Sequence, residues 1–181
     1  MGMILTTGQK IPDFSFDTPF SSNIKLSDKV KEANKTAILF LRYYGCTLCQ
    51  YDIHTLARDY DLITSVGAQV LVVLQSSPKL LAEQISKNDL PFEIISDPNQ
   101  VLYKKFEVTP AKSMVKLLSP KSIVKIAKAT SSGYKHGQYE GNELQRPACF
   151  IVDQNLNVSY AHYGKNATDY PTTKELNKLL K

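Results

Sequence analysis

Phe40-Leu41-Arg42-Tyr43-Tyr44-Gly45-Cys46-Thr47-Leu48-Cys49-Gln50 is the stretch on which the reading of this chain turns. An apolar run, Ala37 to Leu41, leads into it, and a helical pattern follows it. The order is that of a buried strand, a tight turn, and two cysteines on the first turn of a helix. Unpaired backbone N–H groups and the helix dipole favour negative charge there, so a thiol ionises more readily. Two thiols three residues apart on one turn also close a disulfide when the geometry permits. A redox dithiol is the leading reading. Two others stay open at this point. A structural zinc site wants four ligands, and the chain offers this pair, Cys149 and three scattered histidines. Two inert core cysteines are the other.

Length and composition bound the rest. The 181 residues are most simply one domain, 1–181, long enough for a sizeable core. With 43% hydrophobic and 22% charged residues the composition is that of a soluble globular protein. No apolar run approaches membrane-spanning length, so no membrane partner is expected. The start, Met1-Gly2-Met3-Ile4-Leu5-Thr6, lacks the basic region and long apolar core of a signal peptide. Together with three cysteines, that points to a reducing cytoplasm, where a cysteine pair is catalytic or metal-binding rather than a staple. The net charge of +5 is gathered in one place: residues 104 to 135 hold eight lysines and one acid, Glu107. A solvated lysine face on surface helices is expected there. The segment has no arginine and few aromatics, so no nucleic acid is expected as a partner.

Along the chain, Leu5 to Leu26 reads as an entry segment with short extended pieces at Phe14-Ser15-Phe16 and Ile24-Lys25-Leu26. Thr36 to Arg42 is the first central strand. Ile53, Leu56, Ala57, Tyr60 and Ile63 line one face of the helix after the cysteines, which Gly67 ends. Gln69 to Leu74 is a second buried strand. Ser77-Pro78 and Asp97-Pro98 each read as a cap plus a first helical residue, with a short strand, Phe92 to Ile95, between those helices. A lysine-rich insertion at about 109–140 carries two short helices broken at Ser119-Pro120, then a polar loop from Ser131 to Glu143. Pro147 to Val152 and Val158 to Tyr163 form a hairpin across Asp153-Gln154-Asn155. Thr172-Thr173-Lys174-Glu175 is a capping box that opens a last helix.

Several of these residues together resemble a known family. Gly8 to Phe16, with Lys25-Leu26-Ser27-Asp28, resembles the opening of the alkyl hydroperoxide reductase/thiol-specific antioxidant (peroxiredoxin-like) family. Phe40 to Cys49 is similar to the redox centre of the branch that carries a Cys-x-x-Cys. Pro147-Ala148-Cys149-Phe150-Ile151-Val152-Asp153 resembles the Pro-x-x-Phe-x-x-Asp strand of thioredoxin-fold proteins. The resemblance implies an α/β thioredoxin-like fold, a central mixed sheet with helices on both faces. It also implies a cis bond at Arg146–Pro147, with the proline facing Cys46. Typical peroxiredoxins read Pro-x-x-x-Thr-x-x-Cys. Setting Cys49 as that last cysteine puts Cys46 at the threonine and Arg42 at the proline. Setting Cys46 as the first thiol of a thioredoxin-type pair meets no mismatch.

The expected function is a thiol-dependent oxidoreductase that reduces disulfides or peroxides. Cys46 is the exposed nucleophile and Cys49 the resolving thiol. Tyr44, Gly45, Thr47, Arg146 and Pro147 are the expected substrate-binding surroundings, with Arg146 as the cation beside the thiolate. The expected partners are an external thiol reductant and a peroxide or disulfide substrate, with no cofactor and no metal. The alternatives are a redox-inert binding module on the same fold and a reductase of lipid endoperoxides. Cys149, two residues past Pro147, reads as a small buried strand residue. His54 is expected to face solvent; Tyr43, like Tyr44, either flanks the thiols, donates to a substrate or packs, and His136 and His162 have no expected partner.

Overall fold

A computed structural model describes residues 2–181. Its centre is β3 (Lys35–Phe40), whose apolar run is buried on both faces. β3 pairs in parallel with β4 (Ala68–Leu74), and β4 in parallel with β5 (Glu93–Ser96). On its other side β3 runs antiparallel to β6 (Ala148–Asp153), which pairs antiparallel with β7 (Val158–Tyr163). The order is β5-β4-β3-β6-β7, a mixed sheet. A separate two-stranded ribbon, β1 (Ser15–Phe16) with β2 (Ile24–Lys25), sits in the entry segment.

The side-chain alternation of β3 feeds two layers. Ala37 and Leu39 point to a core shared with α2 (Thr47–Arg58), α4 (Pro78–Gln84) and α8 (Thr173–Leu180) through Leu56, Leu81 and Leu176. Ile38 and Phe40 point to the other core, with α1 (Leu26–Lys29), α5 (Val101–Lys105) and the entry segment. Phe150 of β6 packs edge-on against Phe40, Phe106 and Tyr163 there. Helices therefore cover both faces of a mixed sheet, as a thioredoxin-like fold requires.

The structure departs from the sequence reading at several points, among them the helix read from Asp97-Pro98, which begins only at Val101. The helix after the cysteines is broken: α2 ends at Arg58 and a short α3 (Asp61–Thr64) follows. The break lets the Tyr60 hydroxyl accept from the Val70 N–H at 3.1 Å, tying the helix end to β4. The Arg146–Pro147 bond is not cis; no cis peptide occurs among the described residues. The backbone passes straight from Pro147 into the β6 ladder, and the Pro147 carbonyl accepts from the Gly164 N–H at 2.8 Å. The insertion does contain two helices, α6 (Met114–Leu117) and α7 (Pro120–Ser131), the second opened by a Ser119–Ser122 capping box. Six of the eight lysines from 104 to 135 are exposed, Lys105 and Lys125 being half-buried.

The β3–β4 ladder runs on past the strand ends toward the cysteines. Leu41 N–H still donates to Val73 O, and Gln75 N–H to Arg42 O. The buried Tyr103 hydroxyl lies within 2.7 Å of Leu41 O and 2.9 Å of Val73 O, so it pins the floor of the site.

Candidate active site

Cys46 is the N-cap of α2, and its sulfur accepts from the Cys49 N–H at 3.3 Å. Arg42, two residues beyond the end of β3, folds back over it. One guanidinium nitrogen donates to Cys46 Sγ at 2.8 Å and the other to Glu143 O at 2.9 Å. These contacts fix the charge. The Cys46 thiol is pulled down to about 6, first by the hydrogen bond with Cys49, then by Arg42 and the Cys49 and Leu48 N–H groups; burial opposes them. Cys49 moves the other way, because it supplies that hydrogen bond and lies in a buried place beside a negative sulfur. Burial works against the charge of Arg42, and the two sulfurs outweigh it and keep the guanidinium protonated.

The site is covered. Cys46 is 2% exposed and Cys49 4%, so Cys46 is not the exposed thiol that the sequence reading expects. The polar loop after α7 lies across the turn. Gly137 N–H donates to Gly45 O at 2.7 Å, and Gln50 Nε2 donates to Lys135 O at 3.0 Å. A Cβ on Gly45 would run into the Gln138 carbonyl, so the close approach needs glycine there. The Tyr43 hydroxyl lies 3.0 Å from Glu143 Oε1 and 3.0 Å from His136 Nε2, and His136 Nδ1 faces Gly137 O at 2.8 Å. His136 also lies over Tyr139. His54 does not simply face solvent: it stacks on Tyr134 and meets the Tyr44 hydroxyl at 3.3 Å.

Behind Cys49 is a small cavity of about 10 Å³, lined by Leu48, Cys49, Asp52, Pro147, Ala167 and Tyr170 among others. Pro147 thus adjoins Cys49 rather than presenting itself to Cys46. Asp52, one turn beyond Cys49, accepts from the Tyr170 hydroxyl and pairs with Lys125, which α7 brings in from the insertion. Burial pushes the Asp52 carboxyl up against the pull of Lys125 and Tyr170.

Of the other expected residues, Tyr44 is buried and its N–H donates to Ser76 Oγ at 2.9 Å. Gly45 takes the lid contact, and Thr47 opens α2 half-buried. Arg146 is not beside the thiols: it donates to the carbonyl and hydroxyl of Thr109 at 3.0 and 2.6 Å. Arg42 takes the place assigned to it, because it leaves the strand end directly above the helix start. Cys149 is buried in β6, its thiol pushed up to about 12 by burial. His162 pairs with Asp169 at 3.1 Å. Among the described residues, no group of three His, Cys, Asp or Glu side chains converges as a metal site.

The sequence model of the AhpC/TSA family matches residues 7–161, from the entry segment through most of β7. The chain belongs to the AhpC/TSA family. A curated relative, the chloroplastic thioredoxin-like protein AAED1 of Arabidopsis thaliana, is 24% identical over 166 residues, covering 87% of this chain. The chain spans only 66% of that protein's length. Among solved structures, the peroxiredoxin 6 of Arenicola marina superposes with a TM-score of 0.68 at 15% identity, over 97% of this chain and 72% of the other. A thiol peroxidase from Chromobacterium violaceum gives 0.62 at 18% identity, over 99% and 88%. These likenesses establish the thioredoxin-like fold.

Proposed function

We propose that this AhpC/TSA member is a thiol-dependent oxidoreductase in which Cys46 attacks and Cys49 resolves. The observation that carries the reading is the Arg42 guanidinium 2.8 Å from Cys46 Sγ at the start of α2, which favours a thiolate at neutral pH. With a peroxide, the Cys46 thiolate forms an S–O bond to one oxygen while the O–O bond breaks. The departing oxygen takes the electron pair and a proton and leaves as water or an alcohol. Arg42, already pointed at the sulfur, is placed to stabilise charge on that oxygen. Cys49 then attacks the Cys46 sulfenic sulfur and expels its oxygen as water, closing a Cys46–Cys49 disulfide. Cys49 must give up its proton for this step. Asp52 lines the same cavity, and this reading makes its carboxylate the acceptor. An external thiol, two equivalents per turnover, restores the dithiol.

A small oxidant suits the cover over Cys46 better than a folded protein disulfide does, since the loop from Tyr134 to Glu143 must move aside for anything large. The test is peroxide consumption with a small dithiol as reductant. Turnover is expected to vanish in Cys46→Ser. In Cys49→Ser, a single turnover is expected to leave a Cys46 sulfenic acid that a dimedone-type reagent traps. Loss of the first turnover in Cys49→Ser, with Cys46→Ser still consuming peroxide, would reverse the assignment.

A further inference from the structure

The insertion helix α7 carries more than Lys125. Its inward face is Ser122, Ile126 and Ala129, packed toward α2 and the loop at Thr168. Its outward face should then be polar, as in α8, where Lys174, Glu175 and Lys178 face solvent. In α7 it is aliphatic instead: Ile123 is 60% exposed and Val124 70%, with Ala127 beside them. On the neighbouring α6, Val115 is 86% exposed and Met114 is exposed too. The same segment, residues 108–139, holds six lysines and no acid. Of these six, Lys125 alone is in an ion pair among the described residues, while Lys112, Lys116, Lys121, Lys128 and Lys135 are exposed.

From this juxtaposition we propose that the α6–α7 face is a peripheral docking surface for an anionic lipid bilayer. A polyanion such as a nucleic acid accounts for the lysines but leaves exposed Ile123, Val124 and Val115 unexplained. A second copy of the chain, seated face to face, accounts for the aliphatic residues but sets lysines against lysines. A bilayer takes both: the aliphatic crest enters the headgroup–acyl boundary while the lysines stay among the headgroups. The crest is a convex helix, which a fluid interface accepts without a matching groove. No helix of the described residues is long and apolar enough to cross a membrane, so the contact is one of lying on the surface. The sequence reading expected no membrane partner. The face continues directly into the loop over Cys46, so docking places the covered thiol near the lipid surface.

Vesicle co-sedimentation of the reduced full chain tests this, with a readout that uses neither thiol. Binding to phosphatidylcholine vesicles containing about 30% phosphatidylglycerol is expected to be at least about tenfold tighter than to phosphatidylcholine alone, and to weaken at high salt. An exposed pair change, Ile123→Glu with Val124→Glu, is expected to cost about tenfold or more, and Lys121→Gln about fivefold. Circular dichroism of each variant establishes that it is folded. Failure of the wild type to pellet with the anionic vesicles overturns the proposal. So does equal binding by the double variant, which would leave a lysine-only contact. Binding to an acidic polypeptide column without vesicle binding would assign the face to an acidic protein instead.

Discussion

At the scale of residues, the decisive contact is between Arg42 and Cys46. A charged residue that closes an otherwise apolar strand and then sits over two sulfurs is costly to bury unless its charge is answered. Replacing it by a similar length without charge, Arg42→Met, is expected to raise the Cys46 thiol by about one unit. Titration of thiolate absorbance near 240 nm reads this directly, and an unmoved titration would deny Arg42 its role. Gly45 has a different job. Gly45→Ala is expected to push the covering loop off the turn, raising the alkylation rate of Cys46 several-fold while costing about 1–3 kcal/mol of stability. Both residues stood in the stretch that organised the sequence reading, yet neither role was legible there. Arg42 and Arg146 are equally good cations on paper. Only the path of the chain out of β3 decides which one reaches the sulfur.

At the scale of elements, the cover over the site is a latch made of Tyr43, His136, Glu143 and Gly137. Tyr43→Phe removes the hydroxyl that joins His136 to Glu143. Faster hydrogen exchange over residues 134–143, with β3 and β4 unchanged, is the expected result. The strands themselves were legible because their signal is local. A buried run without alternation gives β3 and β4, and Asp153-Gln154-Asn155 gives the β6–β7 turn. The latch was not, because it joins residues about 100 apart in sequence, and His136 and Glu143 show no motif of their own. The break in α2 at Asp59–Tyr60 was hidden in the same way, since an apolar stripe continues through it while Tyr60 turns to β4. The central ladder has its own weak point. Phe150→Ala, beneath three aromatic rings, is expected to cost about 3–5 kcal/mol in urea unfolding.

At the scale of the whole molecule, the redox pair couples stability to pH. The Cys46 thiol stands at about 6 in the folded state against an ordinary value of 9.0. A depressed acid stabilises the fold fully above its ordinary value, and that contribution is lost as pH falls toward and through about 6. Reduced wild type should therefore gain stability relative to Cys46→Ser as pH rises from 6 to 9, and the difference should level off below that window. A constant difference across it would deny the thiolate. The mixed sheet and its two covered faces follow from the order of apolar runs along the chain. The lysine-rich insertion follows from composition alone, but its pairing of Lys125 with Asp52 beside Cys49 needed the fold. The most direct test of the account is the intact mass of the reduced protein after one equivalent of peroxide, followed by peptide mapping. A loss of two hydrogens, mapped to a Cys46–Cys49 disulfide, is the predicted result. Oxygen added to Cys49 with Cys46 left as a free thiol would contradict it.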